Sequence, residues 1–195
     1  MTKATGTLSL LGLQVNGSKA VLIPGVKQAC VGLSNGDFIT ANNIKQFEKC
    51  TVITGNLKIV EASFNGDVQY NIPGITVADL QVFKNLMEVT GYVQIQSNDP
   101  QMTTVSFLSN LEVIHGMELD VTQSSLSIMF THIRTLGLTS LRQIKNGHVT
   151  IAYNPHFCNV SNINFQSMLV QKSVQRVRII RNERPELCNN ETFLE

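Results

Sequence analysis

Four stretches of the chain share one order of apolar and polar positions: CTVITGNLKI from Cys50, LMEVTGYVQI from Leu86, LEVIHGMELDV from Leu111 and LRQIKNGHVTI from Leu141. Each opens on Leu or Cys and places an aliphatic residue three positions on, at Ile53, Val89, Ile114 or Ile144. A glycine follows, and then two aliphatic residues one position apart. The steps between copies are long and irregular beside a strict leucine-rich repeat, so variable loops are expected between constant segments.

Within a copy the spacing fixes the geometry. Leu57 and Ile59 lie at i and i+2 and point to one face of a strand, while Lys58 and Val60 point to the other. Val93 with Ile95, Leu119 with Val121, and Val149 with Ile151 repeat the pattern. No single copy can bury its own aliphatic row, so the copies must stack in parallel. The pattern predicts a β-rich fold, a short right-handed parallel β-helix of leucine-rich-repeat type. Gly55, Gly91, Gly116 and Gly147 are expected at positive φ at its corners, a conformation costly for residues with a Cβ. Leu126 with Ile128, and Leu136 with Leu138, read as additional strands.

The ends carry helical signals. Residues 41–48 read as a short helix capped by Asn42 or Asn43, with Ile44 and Phe47 on one face. Ile163, Phe165, Met168 and Leu169 mark a second, and VQRVRII from Val174 to Ile180 a final strand. Short helices thus cap both ends of the stack, as a repeat array requires.

Composition narrows the function. The chain has 195 residues, 43% of them hydrophobic, which suits one domain with a sizeable core. Its 15 Lys and Arg against 14 Asp and Glu form no like-charge run, so nucleic acid is not an expected partner. No stretch approaches the roughly 18 continuous apolar residues of a membrane-spanning helix, and the C-terminus shows neither an anchor tail nor a prenylation box. The first fifteen residues have the outline of a weak export signal, or of an extra strand ahead of the fold. Asp67, Asp79, Asp99, Glu118 and Asp120 are dispersed. Only Glu118 and Asp120 share a strand face, which is more often a solvated strand than an acid/base pair. No nucleophile elbow, phosphate loop or metal-binding histidine pair is present, so the reading is non-enzymatic, without cofactor or metal.

Cys30, Cys50, Cys158 and Cys188 fall as two sequence-local couples around a cysteine-free middle. Three connectivities are open, and pairing within each couple would staple the two ends of an elongated fold. Four buried thiols are the alternative that composition leaves open. His115, His132, His148 and His156 show no zinc-ligand spacing. Sequons at Asn16, Asn159 and Asn190 are candidate glycosylation sites, in a number that chance alone explains.

Taken together, CTVITGNLKI after an upstream Cys, FLSNLEVIHG, LGLTSLRQIKNGHVTIAYNPHFC and a Cys after an INF segment resemble the receptor L domain of the insulin receptor and epidermal growth factor receptor families. The resemblance runs over residues 30–188, with 1–29 as an N-terminal extension and 189–195 as a tail. It implies that Cys30 pairs with Cys50 and Cys158 with Cys188. Phe165 stands where relatives often carry Trp. It also implies an extracellular ligand-binding module, with hormone contacts on one strand face. Here that face corresponds to Lys58, Val60, Glu61, Gln94 and Gln96, a more polar set than the aliphatic and aromatic one of the insulin receptor. The expected partner is an extracellular protein or peptide, or another L-domain receptor. No kinase or membrane helix fits in 195 residues, so the expected role is that of a soluble decoy or modulator, the alternative being a structural or adhesive module.

Overall fold

The computed structural model describes residues 15–16, 19–20, 27–34, 36–158 and 163–182. Two parallel sheets arise where the aliphatic rows recur. The first holds β3 (Ala29–Val31), β4 (Val52–Thr54), β6 (Glu88–Val89), β8 (Val113–Ile114) and β10 (Gln143–Ile144), in spatial order β10-β8-β6-β4-β3. The second holds β5 (Leu57–Val60), β7 (Val93–Gln96), β9 (Ser124–Met129), β11 (His148–Ala152) and β12 (Val177–Ile180), in order β12-β11-β9-β7-β5. From β4 to β11 the chain passes strictly from one sheet to the other. A separate antiparallel pair joins β1 (Val15–Asn16) to β2 (Lys19–Ala20).

Register aligns the inner rows. Leu57, Val93, Leu126 and Val149 pair in sequence across the second sheet, as do Ile59, Ile95, Ile128 and Ile151, and all eight are fully buried. Ile53, Val89, Ile114 and Ile144 of the first sheet are likewise fully buried. Each such side chain contributes roughly 2 kcal/mol by leaving water, so the rows are the main source of cohesion. A third side of the core is closed by 3-10 helices at Ile44–Phe47, Val77–Asn85 and Ser106–Leu108. They stack Phe47 on Phe83 at 5.6 Å between ring centres, and Phe83 on Phe107 at 6.5 Å. Thr76 and Asp79 cap the second of these helices reciprocally. The backbone hydrogen bond from Thr76 holds the Asp79 carboxyl below its ordinary range.

The helix at Ile44–Phe47 buries the two residues expected to share its face. Asn43 precedes it but turns its side chain backwards, accepting from Thr40 N at 2.9 Å and donating to the Phe38 carbonyl at 2.9 Å. At the other end α2 (Phe165–Met168) is capped by Asn164, which accepts from Ser167 N at 3.1 Å. Between β5 and the second 3-10 helix lies α1 (Glu61–Asn65). The disulfide Cys30–Cys50 ties β3 to the segment ahead of β4, with Cα atoms 5.8 Å apart. Among the described residues no helix is long and apolar enough to cross a membrane.

Four expectations need correction. Leu119 and Val121 are not in a strand: Val121 is 95% exposed, and residues 117–123 form a turn ahead of β9. Asp120 holds that turn, its Oδ1 accepting from Thr122 N at 2.8 Å and Ser124 N at 2.9 Å, so Leu126 and Ile128 supply the third inner pair. Leu136 and Leu138 form no strand because Gly137 between them sits at φ +68°. The last strand begins at Val177 rather than Val174. Gly55, Gly116 and Gly147 take positive φ as expected, but Gly91 does not. Its constraint is close approach: a Cβ there would lie 1.9 Å from Asn56 Oδ1 and 2.7 Å from the Gly55 carbonyl.

Candidate ligand-binding face

The inner rows of the second sheet dictate its outer ones. Alternation places Lys58, Gln94, Ser127, Thr150 and Arg178 in one outward row, and Val60, Gln96, Met129, Ala152 and Ile180 in the next. The first row is polar with a cation at each end. The second is apolar except for Gln96. Lys58, Val60, Gln94 and Gln96 therefore share one half-buried face, as expected from the sequence.

Glu61 lies one residue past β5, where the chain turns into α1, and is engaged within the fold. Its Oε2 accepts from Asn98 N at 2.7 Å and from the Ser97 hydroxyl at 3.3 Å, joining the exits of β5 and β7. Arg178 reaches back across the sheet to donate to the Thr122 carbonyl at 2.8 Å, and Ser124 and Thr150 share a hydroxyl hydrogen bond of 2.8 Å beneath it. Burial, then Arg178 and Arg176, holds the His148 imidazole below its usual range. The neutral ring accepts at Nδ1 from Arg176 N at 3.2 Å. Ser127 Oγ, in the middle of the polar row, is buried without a hydrogen-bond partner among the described residues.

A third row follows where the strands end: Glu61, Ser97, Phe130, Tyr153 and Arg181. Phe130, Tyr153 and Arg181 have φ of 55°, 57° and 51°. Phe130 stacks on Tyr153 at 4.8 Å with the rings 5° from parallel, and the Arg181 guanidinium lies 5.7 Å from the Tyr153 ring centre. Beneath this corner runs a buried polar ladder. Asn154 Oδ1 accepts from Thr131 N at 3.0 Å and from the Thr131 hydroxyl at 2.7 Å. Asn154 Nδ2 donates to the Ile128 carbonyl at 3.0 Å and to Asn182 Oδ1 at 2.9 Å, and Asn182 Nδ2 donates to the Ile151 carbonyl at 2.8 Å.

Sequence reasoning missed Met129, Phe130, Tyr153, Ile180 and Arg181. The signal was the registered exits IQS, IMF, IAY and IIR, which align once each strand is read to its last residue. Of the other expected sites, Asn16 lies in β1, and Cys158 is disulfide-bonded. Cys188, Asn159 and Asn190 lie outside the described residues. Among the described residues no group of three or more His, Cys, Asp or Glu side chains is arranged to hold a metal.

The profile of the Receptor L domain family matches residues 49–170, more than half of the chain and the whole stretch from β4 to the end of α2. The chain belongs to the receptor L-domain family. It is 34% identical over 170 residues to the epidermal growth factor receptor of Drosophila melanogaster, which covers 83% of this chain and 12% of that protein. The Gallus gallus epidermal growth factor receptor is 31% identical over 166 residues, 83% of this chain and 24% of that protein. The human receptor tyrosine-protein kinase erbB-4 is 34% identical over 169 residues, 84% of this chain and 13% of that protein. The chain thus spans between about an eighth and a quarter of these relatives, and the kinase portion of the receptor tyrosine-protein kinase erbB-4 is not covered by it.

Proposed function

We propose that this L domain is an extracellular, non-catalytic module that binds a protein or peptide, and that it acts as a soluble decoy or modulator of growth-factor-type signalling. The observation that carries the reading is the outer surface of the second sheet. Two registered rows there put cations and amides beside Val60, Met129 and Ile180, a mixture of orienting polar groups and apolar anchors suited to a partner surface. Lys58, Val60, Glu61, Gln94 and Gln96 form one end of the surface, and β9, β11 and β12 extend it towards more apolar ground. The strict alternation between sheets, the aligned inner rows and the glycine corners support a short right-handed parallel β-helix as the scaffold. Sheet faces of such a scaffold are rigid, so binding there needs little ordering; Lys58, Val60, Gln94, Gln96, Met129 and Ile180 are its accessible groups, while Ser127, Thr150 and Ala152 between them are buried. The names of the epidermal growth factor receptors among the relatives point to a peptide growth factor as the class of ligand, with another L-domain receptor as the second class.

The test is surface plasmon resonance of the secreted, oxidised protein against epidermal growth factor, insulin and erbB receptor ectodomains. Saturable binding that falls at least about tenfold in Lys58→Glu or Met129→Asp, with thermal stability unchanged, is the expected result. Absence of binding to all of these overturns the decoy reading and leaves the structural or adhesive module.

A further inference from the structure

Beyond the sheet face, we infer that the corner built by Phe130, Tyr153 and Arg181 is a second binding site, specific for an acidic, extended segment of a partner protein. Three successive turns of the fold place a bulky residue in the left-handed region at the same phase, where Asn or Gly would cost less. That backbone cost is of order 1 kcal/mol per residue, comparable to what a stacked aromatic pair returns. Strain of this kind concentrates where side chains must be held in place for a task. Here it holds Phe130 at 48% exposure and Tyr153 at 38%, on a corner rather than in the core.

The chemistry of the ligand follows from the orientation of the groups. The rings stack face to face, so each covers a face of its neighbour. Arg181 adds a full cation over Tyr153 and has no carboxylate partner among the described residues. Asn98, His132 and Pro155 join these three around a concavity of about 530 Å³ with no acidic side chain among the described residues of its lining. Asn98 Oδ1 lies 3.1 Å from His132 Nε2, which orients that imidazole within it. A guanidinium beside an apolar aromatic wall complements a carboxylate flanked by aliphatic side chains. Cationic segments are disfavoured by Arg181, and neutral apolar ones leave it unmatched.

The probe is an end-capped hexapeptide of alternating Glu and Leu, set against its Gln-for-Glu counterpart, titrated into the full ¹⁵N-labelled oxidised chain. Backbone amide shifts at Phe130, Thr131, His132, Tyr153, Asn154 and Arg181 are expected with the acidic peptide. Affinity should fall at least about tenfold for the Gln peptide, for Arg181→Glu, and on raising the salt from 50 to 500 mM. The double variant Phe130→Asn/Tyr153→Asn suits the backbone conformation, so it should keep its melting temperature and lose the shifts. Equal binding of the two peptides, or no shifts at all, overturns the inference. Shifts confined to Lys58, Gln94 and Gln96 also overturn it while leaving the sheet-face reading intact; growth-factor binding that survives Arg181→Glu separates the two sites in the other direction.

Discussion

Replacing Asn154 by Ala tests whether the buried ladder, rather than the aliphatic rows alone, holds the corner together. The side chain is fully buried and serves three neighbours. Its removal leaves the Thr131 N–H without its acceptor and takes a donor from both the Ile128 carbonyl and Asn182 Oδ1. A buried backbone donor left unpaired costs about 1–3 kcal/mol, and each further lost hydrogen bond about 1 kcal/mol. Asn182 Oδ1 keeps the Asn154 N–H at 3.2 Å, which limits the loss on that side. The expected destabilisation is therefore about 3 kcal/mol, or about 6–12 °C in melting temperature for a domain of this size. Circular dichroism melting of the oxidised protein measures it, and hydrogen exchange at Thr131 should accelerate in parallel. Asn110→Ala is the control, because its exposed amide donates only to the Lys84 carbonyl at 2.7 Å, and it should change stability by less than about 0.5 kcal/mol. A loss below about 1 kcal/mol for Asn154→Ala, with Thr131 still protected, would refute the reasoning.

Gly91→Ala should destabilise by more than about 2 kcal/mol although its φ lies outside the left-handed region, because the new methyl meets Asn56 and the Gly55 carbonyl; Gly36→Ala, whose Cβ meets open space but whose φ is +99°, carries the conformational cost alone, and denaturant melts of the two separate contact from conformation. Removing the Cys30–Cys50 bond by Cys→Ala changes at both positions releases a loop with a sequence separation of 20 and should cost about 3 kcal/mol by urea unfolding. His148 should titrate below ordinary histidine in an NMR pH series. Because its folded pKa lies below the unfolded one, the stability it contributes is complete above the ordinary imidazole range and is lost as pH falls from that range through the lower folded pKa; His148→Gln should flatten that part of the stability profile.

Period-two pairs such as Leu57 with Ile59 and Val93 with Ile95 were legible because alternation in a half-buried strand leaves a direct mark on sequence. Leu119 with Val121 carries the same mark without the strand. What distinguishes it is Asp120, whose carboxylate competes for backbone N–H groups and closes a turn. The 3-10 helices carrying Phe83 and Phe107 left no comparable trace, since short segments of that kind have no long period to read. Gly91 shows the limit of reading glycine as a conformational signal, because its constraint comes from Asn56 and Gly55, in the copy of the repeat before its own. The polar half of the candidate face was legible from β5 and β7. The corner was not, since Phe, Tyr and Arg in a left-handed conformation run against local preference and their stacking depends on register between strands.

The turn at residues 117–123 adds chain between β8 and β9, and the ladder of β9 with β11 is bulged where Ser124 faces His148, while from Leu126 onward the inner rows are in register with β7 and β11. Length variation is thus accommodated outside the stacked rows, in a segment that stays tied to the scaffold because Glu118 accepts from Asn56 and the Thr122 carbonyl accepts from Arg178. Insertions are tolerated best at its exposed points, Met117 and Val121, provided those contacts and the Asp120 turn are kept, while the aliphatic rows continue to carry the core.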